Sequence, residues 1–164
     1  MQCWWVNQTR MHRIERDENK NVVAGEINVD EREKTHWGRK NVKDMKSGDF
    51  IVCYRSGIGI DQLAYVKTDG EEGSIPWEND ETRAAYVANV EYLPIKSPVP
   101  KKEFWDDLKD IASKNDGPID LIRNQIRYAY AMRLPKDAFE KIIDLAERRN
   151  PGKVKKWLQE HKYN

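Results

Sequence analysis

The sequence has no apolar run that approaches the length needed to cross a membrane. Its first residues, MQCWWVNQTR, have neither a cationic start nor an apolar core, which argues against a secretory signal. It has only two cysteines, Cys3 and Cys53, each inside an apolar segment and without a C-x-x-C spacing. We therefore expect reduced core thiols in a cytoplasmic protein, with no zinc site and no contact with a membrane.

Recognisable catalytic motifs are also missing. The sequence has no G-x-S-x-G element and no P-loop lysine pattern. Gly57 and Gly59 lack the third glycine and the following helix of a dinucleotide site. The three histidines, His12, His36 and His161, have no ligand-like spacing. We therefore predict a binding module rather than an enzyme, with no catalytic residues, no bound metal and no cofactor.

Charge is abundant but nearly balanced. The 164 residues include 29 Lys and Arg against 28 Asp and Glu, for a formal net charge of +1. Such a balance does not by itself indicate a nucleic-acid-binding protein. Any role of that kind depends on where the cations lie and not on their sum.

Hydrophobic patterning predicts an α+β domain. The segments CWWVN, FIVCY, QLAYVK, AAYVANVEYL and IRYAYAM are typical of strands. RKNVKDMKSGD indicates a short helical segment, and longer helices are predicted in KKEFWDDLKDIASK, LPKDAFEKIIDLAERRN and KVKKWLQEHKYN. TDGEEGSIPWENDE is typical of a polar loop, and prolines 94, 98 and 100 are expected to break the chain. Because strands and helices do not alternate strictly, we predict a small curved mixed β-sheet or open β-barrel flanked by helices.

Two tryptophans stand out. Trp37 and Trp77 are each the only large aromatic residue in a polar stretch beside a predicted strand. Taken singly, each is best explained as a lid on the core. Together, two indole faces are able to sandwich a nucleobase, with stacking worth about 1–3 kcal/mol per base. Asn7, Gln8 and Thr9 follow the first strand and carry groups able to hydrogen-bond the edge of such a base.

Five segments, in order along the chain, resemble the EVE domain, a PUA-like fold related to the YTH domain. They are CWWVNQT, HWGRKNVKDMKSGDFIVCYRS, QLAYVK, YVANVEYLPIKSPV and LIRNQIRYAYAMRLPKDAFEKII. The most specific parts are MKSGD leading into FIVCY, and RNQIR followed by LPKDAFEKI, while GSIPW resembles a loop of the YTH pocket. The resemblance implies a base-binding domain over residues 1–147 and a C-terminal helical extension or linker over 148–164.

The resemblance also implies a function. YTH domains hold N6-methyladenine in RNA, and EVE domains occur alone or as the DNA-recognition part of modification-dependent restriction systems. We therefore expect a reader of a methylated base, either N6-methyladenine or a 5-substituted cytosine, flipped or single-stranded and held in an aromatic cage. DNA is the preferred nucleic acid, and the resemblance implies a fused or separate nucleotide-hydrolysing motor as a partner. The alternatives are a PUA-like RNA-binding domain without modification preference, and an enzyme acting on a nucleotide in the same pocket.

The resemblance assigns the base-binding residues one by one. Trp37 matches the first cage tryptophan, Gly38 the backbone group at the base edge, and Trp77 the second wall. Asn7 matches the polar position that ends the first strand, and Gln8 follows it. The predicted pocket floor consists of Tyr54, Arg55 and Ser56. The third cage wall has no counterpart, and Gln62 stands where the family has a small glycine.

Cations adjoin both halves of this predicted pocket. Those assigned to phosphate contacts are Arg39, Lys40, Arg123 and Arg127, which flank the Trp37 segment and the RNQIR segment. The alternative for such charge runs is a solvated face. For Lys43 and Lys46 the two interpretations have nearly equal weight.

Overall fold

A computed structural model describes residues 1–8, 14–17, 20–28, 30–76 and 82–164. The strands in these ranges are β1 Cys3–Asn7, β2 Val22–Glu26, β3 Phe50–Arg55, β4 Gly59–Val66, β5 Glu71–Pro76, β6 Thr82–Val99, β7 Ile119–Asp120, β8 Gln125–Ile126 and β9 Ala131–Leu134. The helices are α1 Ile14–Asp17, α2 Trp37–Lys40, α3 Lys101–Leu108, α4 Lys136–Arg149 and α5 Lys153–Glu160, with 3₁₀ turns at Arg32–Lys34 and Asn41–Asp44.

The main sheet has seven strands and is mixed. Its order is β2-β6-β4-β3-β1-β9, and β5 also pairs with the long strand β6. β1 runs parallel to β3 and antiparallel to β9, and the other pairs are antiparallel. The sheet curls into a half-barrel flanked by helices, which confirms the predicted α+β class.

The central strands β1 and β3 are buried on both faces. Alternate side chains point to opposite sides of a strand, so Trp5 and Val52 join the core beneath α3, α4 and α5. Trp4 and Ile51 join a second core cluster on the other face. This two-sided burial explains why CWWV and FIVC show no polar alternation.

Both cysteines are buried and free, as the sequence predicts. Burial is the main cause that raises the pKa of Cys3 to about 12, and it also raises the pKa of Cys53. The thiols therefore stay protonated and act as small apolar groups in the core.

The structure differs from the sequence-based prediction in β5 and β6. Residues 71–76, predicted as loop, pair with residues 82–87 of β6. The part of β5 whose side chains are described is exposed to solvent, so its residues are polar and show no apolar alternation that would predict a strand. β6 also continues past Pro94, where a break was predicted. Pro94 lies opposite Gln62, next to a shift in register, and such irregularities are where a sheet tolerates proline.

Helices α4 and α5 cover one face of the sheet. The predicted apolar stripe of α4 is buried through Phe139, Ile142 and Ile143. In α5, Val154, Trp157 and Leu158 are buried in the same core cluster, so this C-terminal helix packs onto the sheet. Within the ranges listed above, no helix has the length and apolarity required to span a bilayer.

The packing of α5 leads to a stability prediction. Trp157 is 5% exposed, and its ring centroid lies 5.7 Å from that of Phe50. Because truncation leaves a cavity, we expect Trp157→Ala to lower the free energy of unfolding by about 3–5 kcal/mol in urea denaturation. The matched control is Lys156→Ala, since this neighbouring side chain is 76% exposed and should change little. Equal stability of the two variants would mean that α5 is a detached linker.

Candidate functional site

A cavity of about 430 Å³ opens where the ends of several elements meet. Its walls come from the ends of β1 and β3, the region of α2, the start of α3 and the segment 125–130. The lining residues outside that segment are Asn7, His36, Arg39, Tyr54, Ser56 and Lys101. The volume lies within the range of about 300–1,000 Å³ that is usual for small-ligand sites.

Asn7 holds the segment 125–130, which forms one wall of the cavity. Its Oδ1 accepts a hydrogen bond of 2.9 Å from the indole Nε1 of Trp5. Its Nδ2 donates to the carbonyl oxygens of Arg127 at 3.0 Å and Ala129 at 2.6 Å. Both amide hydrogens are therefore in use within the chain. As a predicted reader of a base edge, Asn7 retains only acceptor capacity at Oδ1.

Two glycines allow α2 to lie close to its neighbours. A Cβ on Gly38 would lie 2.8 Å from the backbone nitrogen of Tyr130, and one on Gly25 would lie 2.5 Å from the carbonyl oxygen of Arg39. Any side chain at either position would push α2 out of its place between β2 and the segment 125–130. A backbone group of Gly38 is predicted to contact a base, and the N–H of this residue donates to His36 Nδ1 at 3.1 Å.

His36 contributes a neutral ring to the cavity wall. Since its Nδ1 accepts the hydrogen bond from Gly38, the proton of the neutral ring is on Nε2. Burial, and to a lesser degree the positive charge of Arg39, lowers the pKa of His36 from its usual value. At neutral pH the cavity wall therefore contains an uncharged aromatic face with one N–H donor.

The charge around the cavity is positive. Arg39, Lys101 and Arg127 line it, and none of the lining residues in the described part of the chain is acidic. Two donors of Arg127 are already used, Nε to the carbonyl of Gly117 at 2.9 Å and Nη2 to that of Ile119 at 3.3 Å. Lys101 uses one donor, to the carbonyl of Asn124 at 3.4 Å, and its ammonium group lies 4.2 Å from the ring centroid of Trp105. Arg39 and Lys101 are therefore more available than Arg127 for an anionic ligand.

Tyrosines form part of the cavity surface. Tyr54 is nearly buried and lies against Trp5, with ring centroids 5.1 Å apart. Burial raises the pKa of Tyr54, so its hydroxyl stays protonated. Tyr128 is 87% exposed and lines the same cavity. The site thus has a fixed aromatic floor at Tyr54 and an unpacked ring at Tyr128.

Of the two tryptophans predicted as cage walls, the structure describes only Trp37. Trp37 is half-buried, packs against the main core cluster and has its ring centroid 5.4 Å from that of His36. It does not line the cavity, although His36 and Arg39 on either side of it do. Trp77 lies outside the described residues. The cage of two tryptophans therefore stays a prediction.

Two other residues predicted to bind a base lie away from the cavity lining. Gln8 is fully buried and donates through Nε2 to the hydroxyl of Tyr92 at 2.8 Å and to Glu15 at 3.3 Å. Arg55 forms an ion pair of 2.7 Å with Asp61. Both side chains belong to internal polar networks, whereas Tyr54 and Ser56 of the predicted floor do line the cavity.

The predicted phosphate contacts also divide. Arg39 and Arg127 line the cavity. The Lys40 ammonium group donates to the carbonyl of Glu33 at 2.9 Å, and neither it nor Arg123 is among the lining residues. Arg123 is 74% exposed and lies 3.4 Å from Asp120 in the turn between β7 and β8.

Sequence reasoning missed His36, Lys101 and Tyr128 as lining residues. Tyr128 was assigned to a strand, but β9 begins only at Ala131. The chain before it turns sharply, with the N–H of Ala129 donating to the carbonyl of Arg127 at 2.9 Å. This turn exposes Tyr128 where an alternating strand would not. The signal available in the sequence was an aromatic residue directly after an arginine, Arg127-Tyr128.

Comparisons with known proteins identify the fold. No family model matches the sequence, and no curated protein does. A protein of Agrobacterium tumefaciens has 13% identity and a TM-score of 0.56, over 93% of this chain and 98% of its own. Human THYN1 in complex with DNA containing 5-methylcytosine has 12% identity and a TM-score of 0.53, over 90% of this chain and 98% of its own. The YTH domain-containing protein mmi1, in complex with RNA, has 11% identity and a TM-score of 0.53, over 91% and 87%.

The role of His36 gives a pH prediction. The lowered pKa of His36 means that, over one range of pH, the unfolded chain binds more protons than the folded one. This range extends from the usual histidine pKa of about 6.5 down to the pKa of His36 in the folded protein. The free energy of unfolding should therefore fall as pH falls through this window and level off below it. We expect His36→Asn, which keeps a side-chain acceptor but does not titrate, to lose less stability on acidification in urea titrations. Parallel pH profiles for the two proteins would contradict this role.

The similarity of the solved structures thus agrees with the resemblance in the sequence segments. The identities are low, so the shared property is the three-dimensional arrangement of strands and helices. The chain has the PUA-like fold of the EVE (DUF55) and YTH domains.

Proposed function

We propose that the protein binds nucleic acid and takes a single modified base into the cavity. One observation carries the proposal. In a fold whose solved examples include complexes with 5-methylcytosine DNA and with RNA, this chain has a cavity of about 430 Å³ with cations and aromatic rings in its lining. An anionic polymer with flat heterocycles is the ligand that this combination suits.

Phosphate binding is assigned first to Arg39 and Lys101. Both line the cavity, and no acidic residue shares the described lining to offset them. Because the whole chain has a net charge of only +1, long-range attraction to nucleic acid is weak. Affinity must therefore come from a few local contacts, each of which adds about 0.7 to the salt slope on a single strand.

Base binding is assigned to the rings of His36, Tyr54 and Tyr128. A ring that is 87% exposed, as Tyr128 is, contributes little to the folded core but is free to stack on a ligand. Such stacking is worth about 1–3 kcal/mol per base. The neutral His36 supplies a donor for a ring nitrogen or carbonyl on the base edge.

The modification is recognised by burial. An added methyl group gains about 0.8 kcal/mol when it leaves water, which corresponds to about a fourfold preference. We retain Trp37 and Trp77 as cage walls on the strength of the sequence resemblance. For Trp37 there is also its position between two lining residues and its incomplete burial.

DNA is the strand that we propose, with the structure of THYN1 bound to methylated DNA as support. The expected methylated bases are 5-substituted cytosine or N6-methyladenine. Three further parts of the proposal come from the sequence. The cytoplasmic location follows from the unpaired cysteines, the purely binding role from the missing catalytic motifs, and the nucleotide-hydrolysing partner motor from the resemblance.

RNA binding without modification preference is the second candidate, because the neighbour mmi1 is bound to RNA. An enzymatic role for Arg55 and Ser56 has less support. Arg55 is engaged by Asp61, and among the residues that the structure describes no group of three or more His, Cys, Asp or Glu is placed to hold a metal ion.

The test is a fluorescence-anisotropy titration with single-stranded DNA and RNA of one sequence, with and without one methylated base. We expect methylated DNA to bind about fourfold more tightly than its unmethylated form, because the methyl group is buried. Tyr128→Ala should weaken binding to both DNAs by about tenfold through lost stacking. Trp37→Ala should remove the methyl preference, with thermal unfolding used to confirm that this variant is folded.

The charge control is a pair of lysines. Lys101→Ala should lower both the affinity and the salt slope, whereas Lys156→Ala, on the exposed face of α5, should change neither. If methylated and unmethylated DNA bind with equal affinity, and Trp37→Ala changes neither affinity, the proposal of a modified-base reader is eliminated. Tight RNA binding without a methyl effect would establish the second candidate instead.

A further inference from the structure

A small hairpin beside the cavity has an apolar tip. β7 and β8 pair through Ile119 with Ile126 and Asp120 with Gln125, and residues 121–124 form the connecting turn. In this turn Leu121 is 49% exposed and Ile122 is 98% exposed. An isoleucine that projects fully into solvent gains nothing from the fold, and here a second apolar side chain stands next to it.

The tip is held in one shape by Asp120. Its Oδ1 accepts hydrogen bonds of 3.1 Å from the backbone nitrogens of both Ile122 and Arg123. Its Oδ2 lies 3.4 Å from the guanidinium of Arg123. Asn124 completes the turn in the left-handed region, with φ of 54°. These contacts hold the backbone of Ile122 in place, so its side chain is presented by an ordered turn.

The hairpin is also a wall of the cavity. Gln125 and Ile126 of β8 line it, and so does Lys101, whose ammonium group lies 3.4 Å from the carbonyl oxygen of Asn124. Only a few residues therefore separate the exposed apolar tip from the lining. Arg123 and Lys101 place positive charge on the tip and at its base.

We infer that Ile122, supported by Leu121, is a wedge that enters the base stack of duplex DNA beside the base taken into the cavity. A base inside a duplex reaches a pocket only after it leaves the stack, and apolar side chains inserted between base steps stabilise the unstacked state. Arg123 and Lys101 contact the phosphates on either side of the insertion. This inference rests on the proposed function and extends it from single strands to duplexes.

The experiment compares a single strand and a duplex that contain the same methylated base, with 2-aminopurine as its neighbour. For Ile122→Ser we expect affinity for the duplex to fall by about tenfold and affinity for the single strand to stay within about twofold. The 2-aminopurine fluorescence of the duplex should rise with the wild-type protein, because its neighbour unstacks, and stay low with Ile122→Ser. The matched control, Ile122→Met, keeps an apolar wedge and should behave like the wild type.

The outcomes separate the two claims. If Ile122→Ser weakens binding to the single strand and to the duplex equally, or weakens neither, the wedge is wrong and the proposed base-binding function is unaffected. If the wild-type protein binds the duplex without a change in 2-aminopurine fluorescence, the wedge is likewise overturned. If the wild type does not distinguish the methylated single strand from its unmethylated form, the proposed function itself fails. Because Ile122 makes no core contact that would be lost, thermal unfolding of all three proteins should coincide.

Discussion

The site depends on the hydrogen bonds of one side chain, Asn7. Trp5 is fully buried in the core and donates to Asn7, which in turn donates to the carbonyls of Arg127 and Ala129. The rigidity of the core is thus transmitted through an amide to an irregular segment that has no strand of its own. Without these bonds, the carbonyls of Arg127 and Ala129 would lose their partner in β1, and only the backbone bond from Asn7 N–H to the carbonyl of Tyr130, of 2.8 Å, would be left among the β1 contacts described for this segment.

A second constraint is the placement of charge. A chain with 29 basic and 28 acidic residues has almost no net attraction for an anionic polymer, and several of its exposed cations are paired locally. The cavity departs from this balance, because Arg39, Lys101 and Arg127 line it without acidic neighbours in the described lining. A few unbalanced cations beside neutral aromatic rings favour a specific local contact over general adhesion to nucleic acid.

Much of the fold was predictable because it follows from burial. CWWVN and FIVCY had to be strands covered on both faces, and the stripe through Phe139 and Ile142 had to be a helix face. β5 was not predictable, since its polar residues form a strand only because β6 offers a partner. Of the residues that the sequence assigned to the site, Asn7, Tyr54, Ser56, Arg39 and Arg127 line the cavity, whereas Gln8 and Arg55 do not. Those two contact Glu15 and Asp61, partners that only the tertiary structure brings near.

The central claim is that one base occupies the cavity between His36, Tyr54 and Tyr128. The most direct test is an NMR measurement of nuclear Overhauser effects between an isotope-labelled methylated base in a bound oligonucleotide and the protein. The account predicts contacts from the base to the rings of His36 and Tyr128, both of which line the cavity. Contacts confined to the exposed surface of β5, with these rings unaffected, would contradict it.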